Sequence, residues 1–310
     1  MPPSPTSPPQ DRTGEALWML HHPVLPLFRI IQFLFLTGPF TAVEEILREL
    51  SEPIETNTAR YEDPQAFLQP YLPIMKGVER LKDQAGKDSA PVAVVDHQGK
   101  PVNRFSAMEA WVGQQLLEAE LEKINSLLCG PCSCVLCCVG PDYSIGPDRA
   151  REMRQDFFEI PLEPQEIALF DVERVDTEQT RDHTPHSEPM LQVDGRPFFE
   201  GDPTLYNWAT GWSMILTRES HCPHLETQQG GCRIYPRRPA VCRKPQIFPY
   251  LLEQADRAAD RQEEADKLVY VEQDKILAVW DCPYVKQYKQ KIIFYAEVCG
   301  LEPVFMENKK

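Results

Sequence analysis

The chain has 310 residues, 42% of them hydrophobic and 25% charged, with 32 Lys+Arg against 47 Asp+Glu and a formal net charge of −15. A chain this long can bury one large core or two smaller ones. Its acidity, without clustered Lys/Arg, argues against nucleic acid or an anionic membrane surface as partner.

The first ten positions carry five prolines, so residues 1–14 read as a disordered tail and 15–128 as a mainly helical region. Leu17–Phe40 reads as a buried or partner-facing apolar helix, broken at Gly38-Pro39; its apolar stretch Val24–Leu36 is interrupted by Pro26, Arg29 and Gln32 and is too short to span a bilayer. Thr41 and Glu44 have capping-box spacing and open a helix through Leu50. A helical pattern over 64–84 is interrupted by Pro70 and Pro73. Pro91–Val95 reads as a strand entering the turn Asp96–Gly99. Ser106 and Glu109 then open the clearest helix, whose apolar positions Leu117, Leu121, Ile124 and Leu128 recur at steps of 4, 3 and 4. That helix is expected to end at Leu128, with Gly130 and Pro131 giving a tight non-helical backbone.

Beyond the cysteines that follow, Arg149–Phe157 and Glu163–Phe170 read as helices, and 171–203 as a long loop. Tyr206, Trp208 and Trp212 are spaced for a packed helix face. Residues 252–267 read as a solvated helix. Leu268–Val271 and Ile276–Trp280 suggest a β-hairpin, Tyr284–Val298 a closing helix, and 301–310 a tail. The expected fold is mostly α with small β elements (α+β), in which residues 129–300 form a loop-rich cysteine-cluster domain.

Five of the ten cysteines, Cys129, Cys132, Cys134, Cys137 and Cys138, fall within ten residues. Clustered thiols with no basic signal-peptide start point to a cytoplasmic metal site rather than to secreted disulfides. Two residues between cysteines let both sulfurs reach one ion at about 2.3 Å. A zinc ribbon separates its pairs by roughly 15–20 residues, whereas here Ser133 alone lies between Cys132 and Cys134. The cluster therefore needs several ions, a polynuclear centre or distant ligands. Cys222, Cys232 and Cys242 supply distant thiols, and Arg238 and Arg243 put positive charge beside them, which favours thiolate. Cys282 is a further candidate, while Cys299 reads as a packed core thiol. Thiolate-rich sites select zinc, copper(I) or iron–sulfur clusters. Adjacent Cys137 and Cys138 diverge unless the backbone turns sharply, which favours a polynuclear centre and iron over zinc.

Cys134-Val-Leu-Cys137-Cys138, Cys222-Pro-His-Leu, Cys232-Arg-Ile-Tyr, Arg238-Pro239 and Cys242-Arg243 together resemble the CxxCxxCC, or YkgJ-type, family of zinc- or iron-chelating domains. The resemblance spans about 129–250 and makes Cys282 the family's late cysteine. Pro131 stands where the first cysteine is expected, so that role falls to Cys129 or Cys132. It implies bound metal, and one branch, flagellin lysine N-methylase, is an enzyme.

His221 and His224 flank Cys222 and read as solvated, as do His183 and His186; His21 and His22 read as a helix-entry feature. Three functions follow as rivals: a structural or redox metal-binding protein, a metal-dependent protein-modifying enzyme using S-adenosylmethionine, and a disulfide-rich interaction protein. A protein partner or substrate fits the second and third. The absence of a Gly-rich nucleotide loop counts against an ordinary Rossmann methyltransferase.

Overall fold

A computed structural model describes residues 11–80, 93–132, 134–141, 155–228, 230–244, 246–255 and 269–307. The fold is mixed α+β, as expected, and divides into two compact units, one built from residues 1–128 and 246–307 and the other from 129–245. The cysteine-rich unit thus stops at 245, whereas the sequence reading carried it to residue 300. The reason is a sheet. Ile247–Gln254 pairs antiparallel with Val269–Val279, which pairs in parallel with Ala93–Val95 and with Glu302–Met306, so the chain after 246 completes the first unit.

In that unit, Arg12–Met19 and Val24–Thr37 are separate helices, because Pro23 lacks the N–H that a continuous helix needs. Val24, Leu25, Leu27, Phe28, Ile31 and Phe35 of the second are buried. Among the described residues no single helix is long and apolar enough to cross a membrane; these two meet that test only as a pair bent by 45°. The long helix Arg104–Cys132 buries Leu117, Leu121, Ile124 and Leu128. Two of its amides serve the edge strand. Asn125 Nδ2 donates to Ile247 O at 2.7 Å while its Oδ1 accepts from Ile247 N, and Gln114 Oε1 accepts from Leu251 N at 2.9 Å. Backbone groups on the edge strand are satisfied in this way by side chains instead of another strand. Glu120, 0% exposed, accepts from Val24 N at 3.0 Å and Tyr295 Oη at 2.6 Å.

The second unit is built on the strand order Phe157–Leu162, Gly211–Thr217, Thr204–Trp208, Arg174–Val175, the first three antiparallel and the last parallel to its neighbour. Alternation along the strands sorts the side chains onto two faces. Tyr206, Trp208 and Ile215 pack with Leu191 and Phe198 on one face. Ile160, Leu162, Leu205, Met214 and Leu216 pack with Phe170 on the other, against Cys222 and Cys242. The second face is the floor of the cysteine site.

Several expectations are corrected. Arg12–Gly14 is helical rather than part of a disordered tail, residues 1–10 lying outside the described residues. Glu45, not Glu44, reaches back to Thr41 N at 2.8 Å to close the start of the helix Val43–Glu49. Asn103, not Ser106, caps the long helix by accepting from Phe105 N and Ser106 N at 3.0 Å. That helix continues through Gly130 and Pro131 to Cys132; a proline in the final turn removes one hydrogen bond and stops the helix one residue later. The 64–84 pattern resolves into short α and 3-10 turns over Pro64–Glu79, with 81–84 outside the described residues.

Of the expected helix at 149–157, residues 149–154 lie outside the described residues and Phe157 opens a strand. The 171–203 loop carries two short strand pairings and the helix Glu178–Arg181. Tyr206, Trp208 and Trp212 lie on strands joined by a hairpin in which Trp208 pairs with Gly211, whose φ of +107° suits glycine. Residues 252–254 are strand, and 256–267 of the expected solvated helix lie outside the described residues. The expected hairpin over 268–280 is one strand, Val269–Val279: Asp274, at φ +48°, kinks it without reversing it. The closing helix is two, Pro283–Gln287 and Lys289–Cys299, and the expected tail contains the strand Glu302–Met306.

Candidate metal centre

A short ladder holds the two cysteine segments together. Cys222 N donates to Cys138 O at 2.7 Å, Gly140 N to Ser220 O at 2.9 Å and Glu219 N to Pro141 O at 2.9 Å, with Val139 bridged antiparallel to His221. Gly140 is required there, because a Cβ at that position would stand 2.0 Å from Thr217 O. On the near side, Val135 at φ +50° and the bond from Cys138 N to Val135 O at 2.8 Å turn the chain sharply. A β-branched residue rarely takes that conformation, and the consequence is specific. Cys137 Sγ and Cys138 Sγ converge to 3.9 Å instead of diverging. On the far side, Leu225 pairs with Cys232 in a two-strand hairpin. The short helix Ala240–Arg243, which contains Cys242, is held by Glu166 Oε1 accepting from Ala240 N at 2.7 Å.

These elements place Cys129, Cys134, Cys137, Cys138, Cys222, Cys232 and Cys242 around one cavity of about 70 Å³, with Ile160, Phe170 and Met214 among its apolar lining. Cys132 is half-buried at the helix end and does not line it. Between the two candidates for the first cysteine, the cavity takes Cys129. Cys282 is buried in the other unit, at the N-terminus of the helix Pro283–Gln287, and Cys299 is buried in that unit's core as expected. None of the ten cysteines is joined in a disulfide. His224 lines the cavity, but its Nε2 donates to Leu169 O at 2.8 Å, and His221 Nδ1 donates to Cys222 O at 3.0 Å. His183 and His186 do not line it.

Arg238, only 6% exposed, is the cation at this cavity. Its guanidinium lies 3.7 Å from the centre of the Tyr235 ring, its Nε donates to Tyr235 O at 3.1 Å, and Nη1 points to Cys129 Sγ at 3.9 Å. Arg243 plays a different part from the one its sequence position suggests: it donates to Arg238 O at 2.7 Å. The signal for Tyr235 was its place in the Ile-Tyr-Pro run, but its stacking on Arg238 was not readable there. Nor were Phe170 and Met214: the helix expected over Glu163–Phe170 is present as the 3-10 helix Pro164–Leu169, but the strand pairing that carries Met214 is long-range and leaves no local signal.

Five of the seven thiols, Cys129, Cys137, Cys222, Cys232 and Cys242, resist ionisation as they stand. A thiol hydrogen bond from Cys137 and then burial raise Cys129 well above the ordinary range. Burial, then the neighbouring Cys222, pushes Cys242 up to about 12. Burial raises Cys232 as well, with Arg238 pulling it down and Cys129 pushing it up. Buried sulfur anions need a cation to exist at all.

The donor set fits a thiophilic metal. Two sulfurs bound to one tetrahedral ion at about 2.3 Å stand about 3.8 Å apart, close to the 3.9 Å between Cys137 and Cys138. Among the described residues no three Cys, His, Asp or Glu side chains form a ready-made cage, so the sulfurs ring the space rather than meet at a point.

A ring of soft donors drawn from two distant segments, backed by a buried guanidinium, defines a cysteine-based chelating domain. Residues 128–272 match the family model described as "CxxCxxCC: Putative zinc- or iron-chelating domain". No curated protein and no solved structure matches the chain.

Proposed function

We propose that this protein binds zinc or iron in the seven-cysteine cavity, as a centre that holds together the loops of residues 129–245. The observation that carries the reading is the convergence of thiols from 129–138 and 222–242 on one space. Both segments have little regular structure of their own, and a metal that binds only their folded arrangement adds its binding energy to folding. Seven sulfurs exceed the four that one tetrahedral ion takes. They fall one short of two separate four-sulfur sites, so the proposed centre has more than one metal atom and shares a sulfur. Cys129, Cys134, Cys137, Cys138, Cys222, Cys232 and Cys242 would hold it. Supply of donors by cysteine throughout, with no position left for water, marks a structural site rather than an open catalytic one.

The turn at Val135 removes one argument for iron, since adjacent cysteines need not diverge. Metal and acid-labile sulfide analysis of anaerobically purified protein is the test. About two metal ions per chain are expected, with the content falling by half or more in Cys137→Ser and in Cys232→Ser. Full metal content in both variants would overturn the reading.

A further inference from the structure

We propose that the first unit carries a second binding site, for an organic quaternary ammonium cation, in the cavity between the helix Arg12–Met19 and the turn region Tyr61–Tyr71. This cavity has a volume of about 520 Å³ and belongs to a different unit from the seven cysteines of the metal cavity. Pockets for small organic ligands fall in roughly the 300–1,000 Å³ range and combine apolar walls with a few placed polar groups.

Four aromatic side chains line it, Trp18, Tyr61, Phe67 and Tyr71. They form one connected cluster: Phe67 lies 5.8 Å from Trp18, 5.2 Å from Tyr61 and 6.3 Å from Tyr71, centre to centre. The cluster is held in place from outside. Trp18 stacks on His22 at 4.2 Å, and Tyr61 Oη donates to Pro23 O at 2.8 Å. Preset rings lose little freedom when a ligand arrives.

The charged residues of the lining are three carboxylates, Glu15, Glu62 and Asp63, against the single ammonium of Lys123. Lys123 is already committed to Glu15 at 2.7 Å. Glu62 is paired with Arg60, outside the lining, at 2.9 Å, so the cation-attracting charge rests on Asp63, which accepts from Ala66 N at 2.9 Å, a bond that fixes its carboxylate without neutralising it. Aromatic walls under an acidic rim attract a cation and repel an anion.

The walls also select the kind of cation. A primary ammonium carries three N–H donors that rings cannot satisfy, so burying it leaves hydrogen bonds unmade. An N-alkylated cation has none to satisfy and spreads its charge over methyl groups that pack against the rings. The volume exceeds a trimethylammonium head alone, so the ligand extends beyond its head group, either as a free small molecule or as a modified side chain.

The test is calorimetric titration of the full-length protein with choline, with its neutral isostere 3,3-dimethyl-1-butanol, and with a short peptide bearing one trimethylated lysine. Choline or the peptide should bind with a dissociation constant of roughly millimolar or tighter. The neutral alcohol should bind at least about tenfold more weakly, since it fills the same space without the charge. The tighter of the two cations tells a free ligand from a side chain. Phe67→Leu, with an unchanged circular dichroism spectrum, should weaken the cation about tenfold. Equal binding of choline and the alcohol would reduce the site to an apolar hole, and no binding of either cation at 20 mM (about twentyfold above the expected constant) would overturn it. Both outcomes can be read in the wild-type protein whether or not the variant folds.

Discussion

The backbone of Cys222 donates to the backbone of Cys138 at 2.7 Å, so two cysteines 84 positions apart in the chain are neighbours before any sulfur chemistry is considered. Main-chain pairing, rather than the thiols, sets the distance between the two cysteine segments. A metal then enters a space whose walls are already aligned, which lowers the ordering it must impose.

Gly140 is the weak point of that pairing. Gly140→Ala places a methyl group 2.0 Å from Thr217 O, a contact that only a backbone shift can relieve. The variant should lose about 2 kcal/mol or more of stability, and metal content should fall although every cysteine remains. Chemical denaturation with parallel metal analysis checks both. Wild-type stability and loading would show that the 138–141 ladder does not organise the site.

The first ligand can be settled by a pair of variants. Cys129 lines the cavity and takes a hydrogen bond from Arg238 at 3.9 Å, whereas Cys132 stands off the lining. Cys129→Ser should lower metal stoichiometry, while Cys132→Ser should leave it unchanged. The reverse result would move the ligand set one helical turn along the chain.

Arg238 should matter to metal binding through charge. Seven thiolates around two divalent ions leave excess negative charge, and a buried guanidinium beside Cys129 offsets part of it. Arg238→Met, similar in bulk, should weaken metal binding about 10–100-fold, the usual scale for groups one shell beyond the ligands. Arg238→Lys should fall between the two, keeping the charge but losing the flat stacking on Tyr235. Competition with a chelator of known affinity measures the series. Equal affinities throughout would confine Arg238 to packing.

How much of this was legible in the sequence depended on the range of the signal. Spacing along the chain marked both cysteine groups and the buried face of the long helix, because the 3.6-residue period is local. Spacing could not reveal that Cys129 faces the cavity and Cys132 does not, since Pro131 was expected to end the helix before either. Tyr206, Trp208 and Trp212 look helical because the four-residue interval from Trp208 to Trp212 suits a helix, yet cross-strand pairing of Thr204–Trp208 with Gly211–Thr217 decides the outcome. Val135 gave no hint of a left-handed turn, since β-branching disfavours one. The split of the chain at 245 was hidden for a similar reason: the sheet it completes joins residues from 93 to 306.

Stability of the first unit should depend on pH through Glu120. Complete burial pushes its carboxyl from the ordinary 4.5 up to about 8, against the lowering effect of hydrogen bonds from Tyr295 and Val24. Between those two values the folded chain keeps a proton that the unfolded chain has released. The unfolded state then binds fewer protons, so stability falls as pH rises, by at most about 1.4 kcal/mol per pH unit for one proton. Below about pH 4.5 the group is protonated in both states, and above about pH 8 it is ionised in both, so neither region contributes a slope. Glu120→Gln keeps an acceptor for Val24 N and Tyr295 Oη but cannot ionise. Urea unfolding at pH 5, 6, 7 and 8 should therefore show the wild type losing stability relative to the variant across this window. Parallel pH profiles for the two proteins would mean that Glu120 has its ordinary carboxylate character despite its burial.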